Sequence, residues 1–202
     1  MRELRRICVY CGSSNSVAEH YFETARQMGH YLAGRRIGVV YGGGNVGLMG
    51  ALADAVLEAE GEIVGVIPQK LVELELAHSR ATEMHIVTTM HERKEKMARF
   101  SDAFIAMPGG WGTLEEIFEA TTWTQLEYHH KPVGLLNAHG YYDSLLSFLE
   151  HAGEEGFIRP AYRGLIQTST DPEGLVGLLE TAELPHLGRL RKEIPPTREP
   201  LP

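Results

Sequence analysis

Two glycine-rich turns constrain what this chain can fold into more than any other feature. One is Tyr41-Gly42-Gly43-Gly44-Asn45-Val46-Gly47-Leu48-Met49-Gly50; the other is Pro108-Gly109-Gly110-Trp111-Gly112-Thr113-Leu114-Glu115-Glu116. Each follows a short apolar run and precedes an amphipathic stretch. A turn of this kind takes the chain directly from strand into helix. Its backbone N–H groups are unobstructed by side chains and sit at the positive end of the helix dipole, where a phosphate is favoured. Two of them predict an α/β domain that grips a phosphorylated small molecule.

The rest of the chain repeats the strand–helix alternation. Strands are predicted at Ile7–Cys11, Ile37–Tyr41, Glu62–Ile67, Met84–Val87, Ala103–Met107, Pro132–Leu136 and Leu165–Thr168. Helices are predicted at Ala18–Ala33, Val46–Glu60, Met90–Ser101, Leu114–Tyr128, Tyr141–Glu155 and Pro172–Ala182. Runs such as Ile63-Val64-Gly65-Val66-Ile67 are continuously apolar, as strands covered on both faces should be. The expected fold is therefore Rossmann-like: a doubly wound parallel sheet of about seven strands with helices on both faces. One domain is expected over residues 1–183, followed by an extended proline-rich tail over 184–202. Thr89-x-x-Glu92 and Thr113-x-x-Glu116 read as capping boxes, and Gly34 and Gly61 as helix stops.

Composition narrows the partners. The net charge of −8 argues against a nucleic-acid partner, which needs a basic face. The start Met1-Arg2-Glu3-Leu4-Arg5-Arg6 lacks the apolar stretch of a leader peptide, and no apolar run is long enough for a membrane span. A cytoplasmic protein with no membrane partner is expected. Cys8 and Cys11 form a single C-x-x-C with neither a second pair nor a histidine cluster at ligand spacing, so they read as thiols on a buried strand, and no metal site is expected.

Three segments carry candidate chemistry. The N–H groups from Gly110 to Leu114, with the Thr113 hydroxyl, converge at a helix start. Glu115 and Glu116 follow within the first turn, where the dipole favours an ionised carboxylate suited to activating water or facing a cation. Glu116 also reads as the plain capping-box partner of Thr113. Arg93 and Lys94 occupy early helical positions that the dipole disfavours. A solvated face is the ordinary reading of such a run. Arg93 nevertheless belongs to the same sheet edge as the second turn, which points to an anion that it holds. Glu75 falls in the connection after the third strand, as a solvated loop carboxylate or a ligand for sugar hydroxyls. Gly43, Gly44 and Ser13 are further candidate phosphate contacts; Ser13 and Ser14 equally suit a turn. Gly42-x-Gly44-x-x-Gly47 fits a dinucleotide fingerprint, with Glu60 or Glu62 as the ribose acid, and also reads as a tight turn with close helix–strand packing.

Taken together, P-G-G-x-G-T-x-x-E at Pro108–Glu116, M-H-x-R-K at Met90–Lys94 and G-G-G-x-x-G-L-M-G at Gly42–Gly50 resemble the LONELY GUY (LOG) family. These are the cytokinin riboside 5′-monophosphate phosphoribohydrolases, and the resemblance extends from Arg6 to Leu179. It implies a homodimer that hydrolyses a nucleoside 5′-monophosphate to free base and ribose 5-phosphate without a cofactor. By matching position it makes Glu116 and Arg93 catalytic. It also makes Glu75, Arg93, Lys94, Gly110, Trp111, Gly112, Thr113, Leu114, Glu115, Glu116 and Thr122 substrate-binding. Trp111 stands at a variable position that is often tyrosine. Members are often labelled lysine decarboxylases, but no lysine here has a convincing Schiff-base context.

The expected mechanism has Glu116 stabilise an oxocarbenium-like ribose and orient water, with Arg93 keeping it ionised. Two other readings use the same fold: a nucleotide or molybdenum-cofactor carrier without turnover, and a dinucleotide-dependent enzyme built on Gly42–Gly47. The base, adenine or an N6-isopentenyl-type adenine, is left open. Met84, Met90, Met97, Trp111 and Trp123 could line an apolar slot or simply be core.

Overall fold

The computed structural model of the protein describes residues 1–74 and 76–185. Glu75 lies outside the described residues, as does nearly all of the expected tail. Seven strands, β1 (Arg6–Tyr10), β2 (Gly38–Tyr41), β3 (Ile63–Pro68), β4 (Glu83–Val87), β5 (Ala103–Ala106), β6 (Val133–Leu136) and β7 (Ile166–Ser169), alternate with helices α1 (Glu19–Gly34), α2 (Gly47–Glu58), α3 (Gln69–Val72), α4 (Met90–Phe100), α5 (Trp111–Gln125), α6 (Asp143–Glu154) and α7 (Pro172–Thr181). The strands form one sheet in the order β4-β3-β2-β1-β5-β6-β7, and every pairing is parallel. The chain winds outward from β1 to β4, returns to the other side of β1 and winds outward again. The crevice between the β1 and β5 carboxyl ends is thus the switch point at which such folds bind ligands.

Alternation along the central strand produces the two layers. Ile7, Val9 and Cys11 join a core with Met28 and Leu32 of α1, Leu52 and Val56 of α2, and Leu175 and Leu179 of α7. Cys8 and Tyr10 join the opposite core with Met97 of α4, Ile117 of α5 and Tyr142. The odd spacing of the two cysteines therefore sends them to opposite faces, and they cannot act as a chelating pair. Both are free buried thiols, and burial pushes Cys8 up to about 12. Among the described residues no helix is long and apolar enough to cross a membrane.

Most element bounds agree with the sequence pattern to within two residues; the differences have local causes. Helix α5 starts at Trp111, three residues ahead of the expected Leu114, because Gly110 serves as its N-cap without any side-chain cap. Thr113 is therefore already inside the helix, and the expected Thr113-x-x-Glu116 capping box does not form. The box at Thr89 does form: its side chain accepts from Glu92 N at 3.1 Å, and Glu92 reaches back one residue further, to Thr88 N at 2.9 Å. Gly34 and Gly61 do not supply the left-handed residues at the ends of α1 and α2. Arg36 (φ 56°) and Glu60 (φ 55°) do. The four-residue α3 was not anticipated; too short for any periodicity, it directly follows Pro68.

Candidate active site

The connections after β1, β2, β4 and β5 meet at the carboxyl edge of the sheet. Helix α4 brings Arg93 and Lys94 there, and both are buried (8% exposed each). The Arg93 Nε donates to Val66 O of β3 at 3.0 Å, and its Nη1 makes a short contact with Glu116 Oε1. Glu116 is likewise 8% exposed. Gly42 makes room for this pair: a Cβ there would collide with Arg93 Nη2 and lie 3.1 Å from Met49 Sδ. Lys94 Nζ bridges to Glu115 Oε1 at 2.5 Å and Glu119 Oε1 at 3.0 Å. The unfavourable dipole position of Arg93 thus has an anion to offset it, supplied by α5.

Burial pushes the Glu116 carboxyl above the usual carboxylate range. Arg93 pulls the other way, as expected, without offsetting the desolvation. For Lys94, burial works against the ammonium, but the bonds to Glu115 and Glu119 leave its pKa raised.

A cleft of about 330 Å³ opens over this pair. Its walls include Gly12, Ser13, Gly42, Leu71, Met90, Arg93, Gly110, Trp111, Gly112, Thr113, Glu115 and Glu116. At the start of α5 the N–H groups of Gly110, Trp111, Gly112 and Thr113 precede the first intrahelical bond. Leu114 N already bonds Gly110 O at 3.1 Å, so the run of available donors ends one residue before the expected Leu114. A Cβ at Gly110 or Gly112 would meet nothing within 4 Å. Crowding by the protein is not what keeps these positions bare; the space in front of them is open for a ligand. A second hollow of about 330 Å³, walled by Tyr21, Leu48 and Tyr141, adjoins the first across Gly12, Ser13 and Gly110.

Other sequence candidates lie elsewhere. Gly43 and Gly44 do not line the Glu116 cleft: Gly43 O accepts from His78 N at 2.9 Å, and Gly44 bridges to Ala77. Ser14 plays the turn role, accepting from Ser16 N at 3.1 Å. Thr122 is exposed on α5, donates to Phe118 O at 2.8 Å, and lines a separate depression of about 430 Å³ with Phe118, Gln125 and Leu146. Of the apolar candidates, Met90 and Trp111 reach the cleft. Met97 is core, Trp123 packs against it, and Met84 lies beneath Gly43 and Gly65.

The dinucleotide reading meets two obstacles. The first N–H groups of α2 are already taken, Gly47 N by Asn15 Oδ1 at 2.7 Å and Leu48 N by Gly12 O at 2.9 Å. Glu62 precedes β3 at the opposite sheet edge and binds Arg6 at 2.6 Å, while Glu60 ends α2 at that same far edge. Sequence reasoning missed Leu71 and the Tyr141–Tyr142 pair, which reach the site from distant connections with no motif to mark them.

Comparison with known proteins places this geometry in context. The profile of a family described as possible lysine decarboxylase matches residues 49–179. The cytokinin riboside 5′-monophosphate phosphoribohydrolase LOG3 of Arabidopsis thaliana is 49% identical over 178 residues, covering 88% of this chain and 83% of that protein. LOG7 of the same plant, with the same description, is 50% identical over 179 residues, covering 89% and 82%. Among solved structures, a molybdenum cofactor binding protein from Rippkaea orientalis superposes with a TM-score of 0.68 at 24% identity, covering 89% of this chain and 97% of that one. The molybdenum cofactor carrier protein of Chlamydomonas reinhardtii gives 0.66 at 21%, covering 87% and 95%. At those identities the likeness is one of fold.

Proposed function

We propose a function from the premise that this chain belongs to the LOG family of cytokinin riboside 5′-monophosphate phosphoribohydrolases: it hydrolyses the N-glycosidic bond of a nucleoside 5′-monophosphate, AMP or an N6-modified adenine ribotide, to free base and ribose 5-phosphate. The observation that carries this reading is the buried Arg93–Glu116 pair, set in the wall of a cleft that the bare N-terminus of α5 also lines.

The four N–H groups at the start of α5 hold the phosphate, which fixes the sugar against Glu116 and uses remote binding energy for positioning at C1′. As the bond from C1′ to the base nitrogen breaks, positive charge builds on the ribose ring, and the Glu116 carboxylate stabilises it. The same carboxylate orients water for attack on C1′ and takes its proton. The bonding electrons leave with the base, which takes a proton from solvent, and Glu116 then releases the water's proton to solvent. Arg93 holds Glu116 in place and contributes to phosphate binding; Glu75, Ser13, Trp111 and Thr122 are the remaining proposed substrate contacts. The protein works in the cytoplasm as a homodimer.

Two alternatives lose ground on geometry. A decarboxylase needs a lysine free to form a Schiff base, and Lys94, beside Arg93, is instead held by Glu115 and Glu119. A carrier has no need of a buried carboxylate facing an anionic ligand. The test is incubation of purified protein with AMP and, separately, isopentenyladenosine monophosphate, following base and ribose 5-phosphate by chromatography. Glu116→Gln should lose about 100-fold or more in kcat while still binding nucleotide. Full turnover in that variant would remove Glu116 from the mechanism. Tight binding with no release from either nucleotide would establish the carrier.

A further inference from the structure

Three successive carbonyl oxygens of the second glycine turn are each held by a donor from elsewhere in the chain. The Tyr142 hydroxyl donates to Met107 O at 2.6 Å, the Gly12 N–H to Pro108 O at 3.0 Å, and the Tyr141 hydroxyl to Gly109 O at 2.7 Å. Among the described residues no cis peptide bond is present, and in a trans unit the carbonyl and the following N–H point in opposite directions. Fixing an oxygen therefore aims the next donor. Proline has no N–H, so the units that matter are those ending at Gly109 and Gly110.

Two of the three donors are internal: Tyr142 is buried (2% exposed), and Gly12 contributes backbone. Tyr141 is different, being 42% exposed and reaching the turn from the rim. It lines the hollow shared with Tyr21 and is not part of the Glu116 cleft, whereas Gly110 borders both. Its bond draws the Gly109 oxygen towards the Tyr21 side, which turns the Gly110 N–H towards the Glu116 side. Little else restrains this peptide. Both flanking residues are glycine, free to take either sign of φ, and the space around Gly110 is open. A flipped unit would present an oxygen to a phosphate in place of a donor.

The hydroxyl is aimed independently of the bond it makes. The Tyr141 ring stands edge-on to Tyr21 (centroids 5.7 Å apart, 80°) and to Tyr142 (4.9 Å, 83°). The preceding connection is pinned by Asn137, whose side chain accepts from Tyr142 N at 2.7 Å and donates to Asp143 at 2.7 Å.

We propose that Tyr141 is a positioning residue for phosphate recognition: its hydroxyl latches the Gly109–Gly110 peptide so that the Gly110 N–H faces the Glu116 cleft. This deepens the hydrolase reading and rests on the same phosphate cradle, but one arm of its test needs no turnover. Tyr141→Phe keeps both ring contacts and removes only the latch. KM for AMP should rise about tenfold with a smaller fall in kcat, since the remaining α5 donors still position the sugar. The affinity for inorganic phosphate, measured by calorimetry with no reaction occurring, should fall by the same factor. In the unmodified protein, the Gly110 amide resonance should shift on titration with inorganic phosphate. An unchanged phosphate affinity in Tyr141→Phe, a kcat loss at constant KM, or a Gly110 resonance indifferent to phosphate would each overturn the latch. Failure of the unmodified protein to hydrolyse either AMP or isopentenyladenosine monophosphate, with the phosphate results as expected, would count against the hydrolase reading alone.

Discussion

At the scale of single residues, the raised pKa of Glu116 has a direct kinetic consequence. Glu116 acts as a carboxylate, so activity is present above its pKa and lost as pH falls through it. Because burial has moved that pKa up, the acid limb of the kcat/KM profile should lie above the usual carboxylate range. Arg93 is the main group pulling the other way, so Arg93→Ala should shift the limb to still higher pH, besides weakening nucleotide binding and rate. A limb in the ordinary carboxylate range, or one unmoved by the substitution, would show that Glu116 is not the titrating group. Removing one member of a buried ion pair should also cost about 3 kcal/mol near neutral pH, measurable by urea denaturation. That penalty should shrink in acid, because the stranded Glu116 gains its proton more readily folded than unfolded. Glu116 and Arg93 were both legible in the sequence as charges near helix starts. Their pairing was legible too, in the expectation that Arg93 keeps Glu116 ionised; what was not legible is the early start of α5, which takes Thr113 out of the capping position.

At the scale of elements, the glycine turns were readable as strand-to-helix turns, and for the first the sequence left packing and ligand binding both open. The first was expected to contribute phosphate contacts through Gly43 and Gly44. Its main visible task is close packing. Gly47 has φ of +58°, and a Cβ there would meet Gly12 O and Ser13 Cα at 2.8 Å, all backbone that cannot yield. Gly47→Ala should therefore destabilise the fold by about 1–3 kcal/mol in a denaturant titration. A neutral result would show that the turns after β1 and β2 can separate. The second turn is the open one, and its glycines face space rather than atoms. Composition cannot distinguish a glycine kept for packing from one kept for a ligand, since each is simply a missing side chain. The same limit applies to helix ends, where Arg36 and Glu60 took the conformation that Gly34 and Gly61 seemed to offer.

At the scale of the whole molecule, alternating apolar runs were enough to read a parallel sheet covered on both faces. Strand order came only with the structure, because β1 pairs with strands more than 30 and nearly 100 residues away, Ile7 meeting Val39 on one side and Ala103 on the other. Thr122 belongs to this scale as well: within one chain it lines a depression apart from the Glu116 cleft. The proposed homodimer is tested by sedimentation equilibrium, where two chains of 22.5 kDa are expected and the mass of one would overturn it. The cleft joins two unlike materials. Part of its lining is main chain, from Gly12 and Gly110 to Thr113, and part is side chain, from Leu71, Met90 and Trp111 besides the Arg93–Glu116 pair. Point mutation rewrites side chains readily and main chain hardly at all. Over evolutionary time such a site can therefore drift from one base to another among its descendants, while its demand for a phosphate is inherited almost unaltered.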